Sequence, residues 1–141
     1  MTAPRVLPPG SVFHVVMNAG SGGDDKDESR AKIEQGFAQS GHQVRFHLIE
    51  NANAIQATID EARQACQEDG GVLVAAGGDG TINASAAAVA GSDIPFAVVP
   101  MGTFNYFARD IGMPLDPKDA AIAIAGGTIQ PIHMARINGR P

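Results

Sequence analysis

An aspartate set among glycines is the most chemically suggestive feature of the sequence. Asp79 lies between Gly78 and Gly80, after an unbroken apolar run and before a segment rich in small residues. Glycines let a large anion approach backbone amides, and those amides form an anion site with the N-terminus of a following helix. A carboxylate repels phosphate unless a cation or a proton transfer joins them. Asp79 therefore indicates Mg²⁺ or a reacting hydroxyl beside a bound phosphate.

Two well-known phosphate-binding loops do not fit this stretch. The P-loop requires a lysine before its final serine or threonine, and no lysine lies near Thr81. The dinucleotide-binding fingerprint requires glycine or alanine where Asn83 stands, if Gly78 and Gly80 are its first two glycines. A tight strand-to-helix turn that is glycine-rich for purely structural reasons is the alternative.

Two further polar loops follow predicted strands. Residues 18–23 offer an amide and a hydroxyl, at Asn18 and Ser21, and a later loop offers Thr103 and Asn105. Ligands bind outside the carboxyl ends of the strands in open parallel sheets, so we expect these loops to converge with the aspartate loop on one site. The alternatives are an acidic surface loop for residues 18–23 and a helix N-cap for Thr103.

The elements that position these loops alternate along the chain. Short apolar runs predict strands, and segments with helical spacing between them predict helices. This order indicates an α/β domain with a mostly parallel sheet. Strands are expected at residues 12–17, 44–49, 72–76, 96–99 and 128–137, and helices at 27–39, 54–69, 82–90, 103–109 and 117–125.

Local patterns add predictions about single residues. Asn53 and Gln56 match the capping box, in which the first caps the helix and the second stands at its third position. Cys66 continues the apolar stripe of the same helix, which favours a small core residue over a nucleophile. His42 and His47 have no partner at metal-ligand spacing, so we expect a loop residue and a solvent-facing strand residue.

Composition excludes several classes of function. The 141 residues are 44% hydrophobic and 18% charged, which is typical of a globular domain. The 10 basic and 15 acidic side chains form no basic run, so nucleic acid is not an expected partner. A single cysteine and the absence of a secretory h-region predict a reduced, cytoplasmic setting. No apolar run reaches the roughly 20 residues of a spanning helix, so any membrane contact is expected to be peripheral.

The predicted domain organisation has three parts. Residues 1–11 are expected to be a flexible lead-in, residues 12–127 the α/β domain, and residues 128–141 the start of a second domain. Residues 138–139, Asn-Gly, are a strong hairpin signal followed by only two residues. We therefore expect a β-rich region to follow, and an apolar surface exposed without it would favour homo-oligomers.

Together the three loops resemble the diacylglycerol kinase catalytic domain family, which is related to sphingosine and ceramide kinases and more distantly to NAD kinases. Residues 77–83 resemble its signature, residues 18–22 its first nucleotide loop and residues 100–114 its third. The resemblance extends from about Val12 to the C-terminus and covers the family's N-terminal half. It implies a three-layer, Rossmann-like nucleotide domain, ATP with Mg²⁺, and phosphoryl transfer to diacylglycerol or a related lipid alcohol at the inner membrane face. It also implies a second, β-sandwich domain that shapes the lipid cleft and holds a proposed general base.

The resemblance assigns roles by position. Asp79 would bind the metal, directly or through water, or help the acceptor hydroxyl lose its proton. Phosphoryl transfer depends on positioning and charge neutralisation, which amide loops and one metal-linked acid supply. The implied ATP contacts, with Asn105 added from its place in the third loop, are Asn18, Ala19, Gly20, Ser21, Gly22, Gly78, Asp79, Gly80, Thr81, Ile82, Asn83, Ala84, Thr103 and Asn105.

The sequence also departs from the family pattern. The residue at position 84 removes a polar contact to nucleotide or metal, and the fragment alone is expected to be inactive. Two alternatives follow: an NAD kinase-like enzyme, which shares the glycine-aspartate core, and a non-catalytic nucleotide-binding or regulatory module. The departures are Ala19 for Pro, Ile49 for Thr, Ala84 for Glu, Phe104 for Gly, Tyr106 for Asp and His133 for Asp.

Overall fold

The computed structural model describes residues 5–6, 12–18, 24–39, 41–101, 117–125 and 128–129. Within these residues the chain alternates between strands and helices, as the apolar runs predict. The strands are β1 (Arg5–Val6), β2 (Val12–Asn18), β3 (Gln43–Ile49), β4 (Val72–Gly77), β5 (Phe96–Pro100) and β6 (Thr128–Ile129), and the helices are α1 (Asp24–Ala38), α2 (Ile55–Asp69), α3 (Asp79–Val89) and α4 (Pro117–Ala125).

Four parallel strands form the main sheet, in the order β3-β2-β4-β5. Val15 of β2 lies opposite Phe46 of β3 on one side and Val74 of β4 on the other. Every residue of β4 is buried, as expected for a central strand with helices on both faces. The predicted α/β fold with a parallel sheet is confirmed.

Helices cover both faces of this sheet and make the predicted three layers. On one face α1 and α4 pack on β2 and β4, and the Phe13 and Phe37 rings stack with centroids 4.3 Å apart. On the other face, Ile59 and Ala62 of α2 are fully buried against Val16 and neighbouring apolar residues. Alternation of side chains along each strand divides the core between the two faces.

Cys66 belongs to the α2 face of the core, as its stripe predicts. It is 2% exposed, and burial, followed by the negative charge of Asp69, raises the pKa of its thiol to about 12. Gly70 ends α2 in the left-handed conformation, with φ 71°, and returns the chain to β4.

The predicted capping box of α2 is wrong. Ala54 is the N-cap, without a side-chain hydrogen bond, because a short 3₁₀ turn at Ala52–Ala54 leads into the helix. Asn51 instead accepts a hydrogen bond on Oδ1 from the Asn53 backbone N–H at 3.0 Å, while Gln56 donates along the helix to Asp60. The sequence pattern missed this because Asn51 and Asn53 are both good turn-forming residues.

A second, two-stranded sheet joins distant parts of the chain. Arg5–Val6, within the predicted lead-in, pairs antiparallel with Thr128–Ile129, at the start of the predicted last strand. The rest of that strand, at residues 130–137, and the predicted helix at 103–109 lie outside the described residues. Among the helices that are described, none combines the length and apolar character needed to cross a bilayer.

Candidate functional site

The three strands that precede the polar loops end side by side. Met17, one residue before the end of β2, lies opposite Ala76 of β4, and Gly77 at the end of β4 lies opposite Pro100 at the end of β5. The Met101 N–H also donates to the Gly77 carbonyl at 2.9 Å. The three loops therefore start from one edge of the sheet.

The order of the strands reverses at this edge of the sheet. From β2 the chain moves outward to β3, then crosses back past β2 to form β4, so its direction reverses between β2 and β4. The α1 helix that follows β2 packs on one face of the sheet, while Ile82 of α3, the helix that follows β4, is buried against the other. Open α/β sheets usually bind ligands at such a switch point, so a ligand crevice is expected between β2 and β4.

The glycine-aspartate segment forms the first turn of α3. Gly78 is the N-cap, with φ −86° and ψ −176°, and the Ile82 N–H donates to its carbonyl at 3.0 Å. The amides of residues 79–81 precede this first intrahelical hydrogen bond and carry the positive end of the helix dipole. Our prediction that α3 begins at residue 82 is wrong by one turn. The correction adds first-turn amides to the candidate anion site.

The glycines serve close approach rather than unusual backbone angles. The described glycines with positive φ are Gly41, Gly70 and Gly91, so Gly77, Gly78 and Gly80 are not among them. A Cβ on Gly77 would lie 3.1 Å from the Thr81 Cβ, because the first turn of α3 packs tightly against the end of β4. Among the described residues, none lies within 4 Å of a Cβ on Gly80. The described structure therefore leaves space around this position in the first turn.

The other predicted contact residues differ in their surroundings. Ile82 is fully buried with Ala75 and Val98, so its side chain anchors α3 to the sheet. Ala84 is partly buried against the α2 face of the core, whereas Asn18 and Asn83 are exposed. The side chain of Asp79 lies outside the described part of the structure, as do Ala19, Gly20, Ser21, Gly22, Thr103 and Asn105.

Sequence reasoning missed a polar cluster between α2 and the sheet. His14 Nε2 donates to Asp69 Oδ2 at 2.8 Å, and His14 Nδ1 lies 2.9 Å from His47 Nε2. His47 was predicted to face solvent, which is wrong because its side chain is only 12% exposed. A histidine inside an apolar strand, such as His14, signals a partner, because buried polar groups are normally hydrogen-bonded.

Comparison with known proteins identifies the family. The sequence pattern of the diacylglycerol kinase catalytic domain matches residues 12–137. The chain belongs to this family. It is 33% identical over 129 residues to a diacylglycerol kinase of Bacillus subtilis, a match that covers 89% of this chain and 42% of that protein. It is 44% identical over 70 residues to a probable lipid kinase, YegS-like, of Pseudomonas aeruginosa, covering 48% of this chain and 23% of the relative.

Solved structures agree on the fold. A diacylglycerol kinase from Bacillus anthracis superposes with a TM-score of 0.62 at 24% identity, covering 82% of this chain and 39% of that one. A putative diacylglycerol kinase from the same organism gives a TM-score of 0.63 at 23% identity, covering 82% and 38%. The chain thus spans less than half the length of these relatives.

Proposed function

We propose that this chain is the ATP-binding half of a lipid kinase that transfers the γ-phosphoryl group of ATP to the hydroxyl of diacylglycerol or a related lipid. The observation that carries the proposal is the strand order, which reverses between β2 and β4 and brings the ends of β2, β4 and β5 together beside the N-terminus of α3. Family membership supports the kinase class, and the names of the relatives support a lipid acceptor.

In this proposal the first turn of α3 holds the phosphates. Its amides are oriented by the helix and need no reorganisation when an anion arrives. The open space at Gly80 lets a phosphate oxygen approach the backbone, and the exposed Asn18 stands at the end of the neighbouring strand. Residues 19–22, Thr103 and Asn105 are proposed to complete the contacts from the two flanking loops.

Asp79 is the proposed Mg²⁺ ligand and the residue on which catalysis depends. The described residues contain no group of three or more His, Cys, Asp or Glu side chains that could hold a metal by themselves. Mg²⁺ in kinases is commonly bound by one or two carboxylates together with substrate phosphates, so one acid at the start of α3 fits that mode. The bound ion would neutralise charge on the transferring phosphoryl group.

Two other functions remain as outcomes to be tested. An NAD kinase would share the glycine-aspartate turn but phosphorylate a soluble nucleotide, and the lipid kinases among the relatives argue against it. A non-catalytic nucleotide-binding module is suggested by Ala84, whose position packs against the core and offers no polar group.

Binding of Mg·ATP by calorimetry tests the site. Asp79→Asn keeps the size of the side chain but removes the charge, so it should weaken Mg·ATP binding at least about 10-fold, as expected for loss of a metal-linked charged contact. Asp93→Asn makes the same change in an exposed residue of the turn before β5, at the other end of the sheet, and should leave binding unchanged. Equal affinities in the two variants would contradict the role of Asp79.

Phosphoryl transfer by the full-length protein tests the reaction. Radiolabel from ATP should appear in diacylglycerol presented in mixed micelles and not in NAD. Asp79→Asn should lower the rate by about 100-fold or more, since electrostatic stabilisation of the transition state is lost. Transfer to NAD alone would favour the NAD kinase function, and Mg·ATP binding without any transfer would favour the non-catalytic module.

A further inference from the structure

Four polar side chains form a continuous chain that links α2 to two strands. His14 on β2 lies 2.8 Å from Asp69 at the end of α2, measured from Nε2 to Oδ2. His14 Nδ1 lies 2.9 Å from His47 Nε2 on β3, and His47 Nδ1 lies 3.7 Å from Glu61 Oε1, again on α2. We call these four residues the histidine chain. It takes no part in the proposed nucleotide site.

The histidine chain is built into the core at its centre and reaches water at its ends. The His14 side chain is 2% exposed and that of His47 12%, whereas Asp69 is 36% and Glu61 72% exposed. The Gly71 amide donates to Asp69 Oδ1 at 2.8 Å, and a Cβ on Gly71 would lie 3.0 Å from the His14 ring. The backbone therefore closes tightly around the Asp69–His14 pair.

Hydrogen-bond roles fix where the protons lie. An ionised Asp69 only accepts, so His14 Nε2–H donates to it and leaves Nδ1 of the neutral ring as an acceptor. His47 must then donate its Nε2–H to His14, so Nδ1 of a neutral His47 faces Glu61 without a proton. Two neutral rings thus supply two protons for three gaps. The 3.7 Å gap to Glu61 is longer than a hydrogen bond and is the gap without a proton.

The hydrogen bonds of the histidine chain can accommodate one added proton but not two. The first fills the gap between His47 and Glu61, which must shorten from 3.7 Å to become a hydrogen bond. Its positive charge can lie on either ring, because the proton between His14 and His47 can sit on either nitrogen. A second makes both rings cationic, so that two N–H groups face each other between His14 and His47, which are 2.9 Å apart. That hydrogen bond is then lost, and two like charges lie side by side in a largely buried place.

We propose that the histidine chain is a pH-sensitive clamp that holds α2 against β2 and β3 while it carries two or three protons. Binding of a fourth proton weakens this contact between α2 and the two strands. The histidine chain contacts the C-terminal end of α2, after which the polypeptide turns at Gly70 into the central strand β4.

The charges around His47 set the direction of the response. Burial and charge on His14 lower the pKa of His47 from its ordinary value of 6.5, Arg45 acts in the same direction, and Glu61 opposes them. A folded-state pKa below that of the unfolded chain means that the folded protein binds fewer protons. The lowered pKa belongs to the proton that arrives when His14 is already charged, which is the fourth proton of the histidine chain. The contribution to stability is therefore complete above about pH 6.5 and is lost as the pH falls through this folded-state pKa.

Thermal unfolding at a series of pH values tests the clamp in the 141-residue chain. The temperature of the unfolding midpoint of the wild type should decrease as the pH is lowered from about 7.5 to about 5. His47→Gln keeps an N–H donor for His14 but removes the second imidazole. The midpoint temperature of this variant should decrease over the same pH range by less than half of the wild-type decrease. His42→Gln removes a histidine outside the histidine chain, so its midpoint temperature should decrease on acidification nearly as much as that of the wild type.

Imidazole nitrogen NMR of the wild type supplies a second readout that needs no variant to fold. At neutral pH, both rings should carry their proton on Nε2. On acidification the titration of each ring should depend on the other, with His47 gaining its proton below the ordinary range. Independent titration of the two rings, or an equal fall of the midpoint in His47→Gln and the wild type, would overturn the proposal.

Discussion

At the scale of single residues, Gly77 and Gly80 differ in what surrounds the position that a side chain would occupy. Gly77 lies against the Thr81 side chain, so its small size serves the packing of α3 on the sheet. Gly80 has open space around the position of a Cβ, so no packing inside the described structure requires a glycine there. The open space at Gly80 is compatible with the proposed approach of a phosphate to the first-turn amides of α3.

Gly80→Ala separates folding from binding. Alanine is the better helix former, so the free energy of unfolding should rise by about 0.5–1 kcal/mol in urea denaturation. The added methyl group should obstruct a phosphate at the first turn and weaken Mg·ATP binding in calorimetry. A variant that is more stable and binds with unchanged affinity would contradict the placement of phosphate beside Gly80.

Gly71→Ala should show the opposite effect on stability. Its Cβ would lie 2.6 Å from the Val12 carbonyl oxygen and 2.8 Å from Asp69 Oδ1, and a backbone carbonyl in a paired strand cannot move cheaply. We expect the free energy of unfolding to fall by about 1–3 kcal/mol, the usual cost of overpacking. A stability within error of the wild type in the same urea experiment would show that the backbone around Gly71 is looser than described.

Cys66 should be inert in the folded protein. With its pKa raised to about 12 from 9.0, the thiolate population at neutral pH is roughly a thousandfold below that of a free thiol, and the thiolate is the reactive form. A disulfide reagent should therefore label Cys66 rapidly in denaturant and at least a hundredfold more slowly in the native state. Rapid native labelling would show that the thiol is accessible and ionised.

At the scale of elements, the strands were predicted well because their signal is local. Apolar runs located β2, β4 and β5 to within one residue, since strands buried on both faces are mostly apolar, with His14 of β2 as an exception. Helix starts were less predictable. The sequence placed the start of α3 at Ile82 because glycines are poor helix formers. In the structure α3 begins at Asp79 with Gly78 as its N-cap, and Gly77 leaves room for the close approach of Thr81.

The start of α2 offers a test of the corrected cap. Asn51 accepts a hydrogen bond from the Asn53 N–H, so Asn51→Ala should lower the free energy of unfolding by about 0.5–1.5 kcal/mol. Asn53→Ala makes the same change two residues later and should stay within about 0.5 kcal/mol of the wild type, as for other exposed surface changes. Urea denaturation of both variants decides, and a larger loss in Asn53→Ala would restore the capping box.

At the scale of the whole molecule, the strand order carries the functional argument, and it could not be predicted from local patterns. The motifs indicated that three loops leave strand ends, but only the order β3-β2-β4-β5 shows that the loop-bearing strands are neighbours. The contact between His14 and His47 escaped prediction for a similar reason, since it joins residues 33 positions apart. Ile122 is an exposed large hydrophobic residue of the described part, and the homo-oligomer expected from an uncovered apolar surface stays a prediction.

The most direct test of the account is an amide NMR titration of the chain with Mg·ATP. In the proposed function, the ends of β2, β4 and β5 and the first turn of α3 form one phosphate site. We expect the largest shifts at Asn18, residues 78–81 and Met101, and none at Gly70 or Asp93 at the other end of the sheet. Shifts centred on Gly70 and Asp93, or spread over both ends of the sheet, would contradict it.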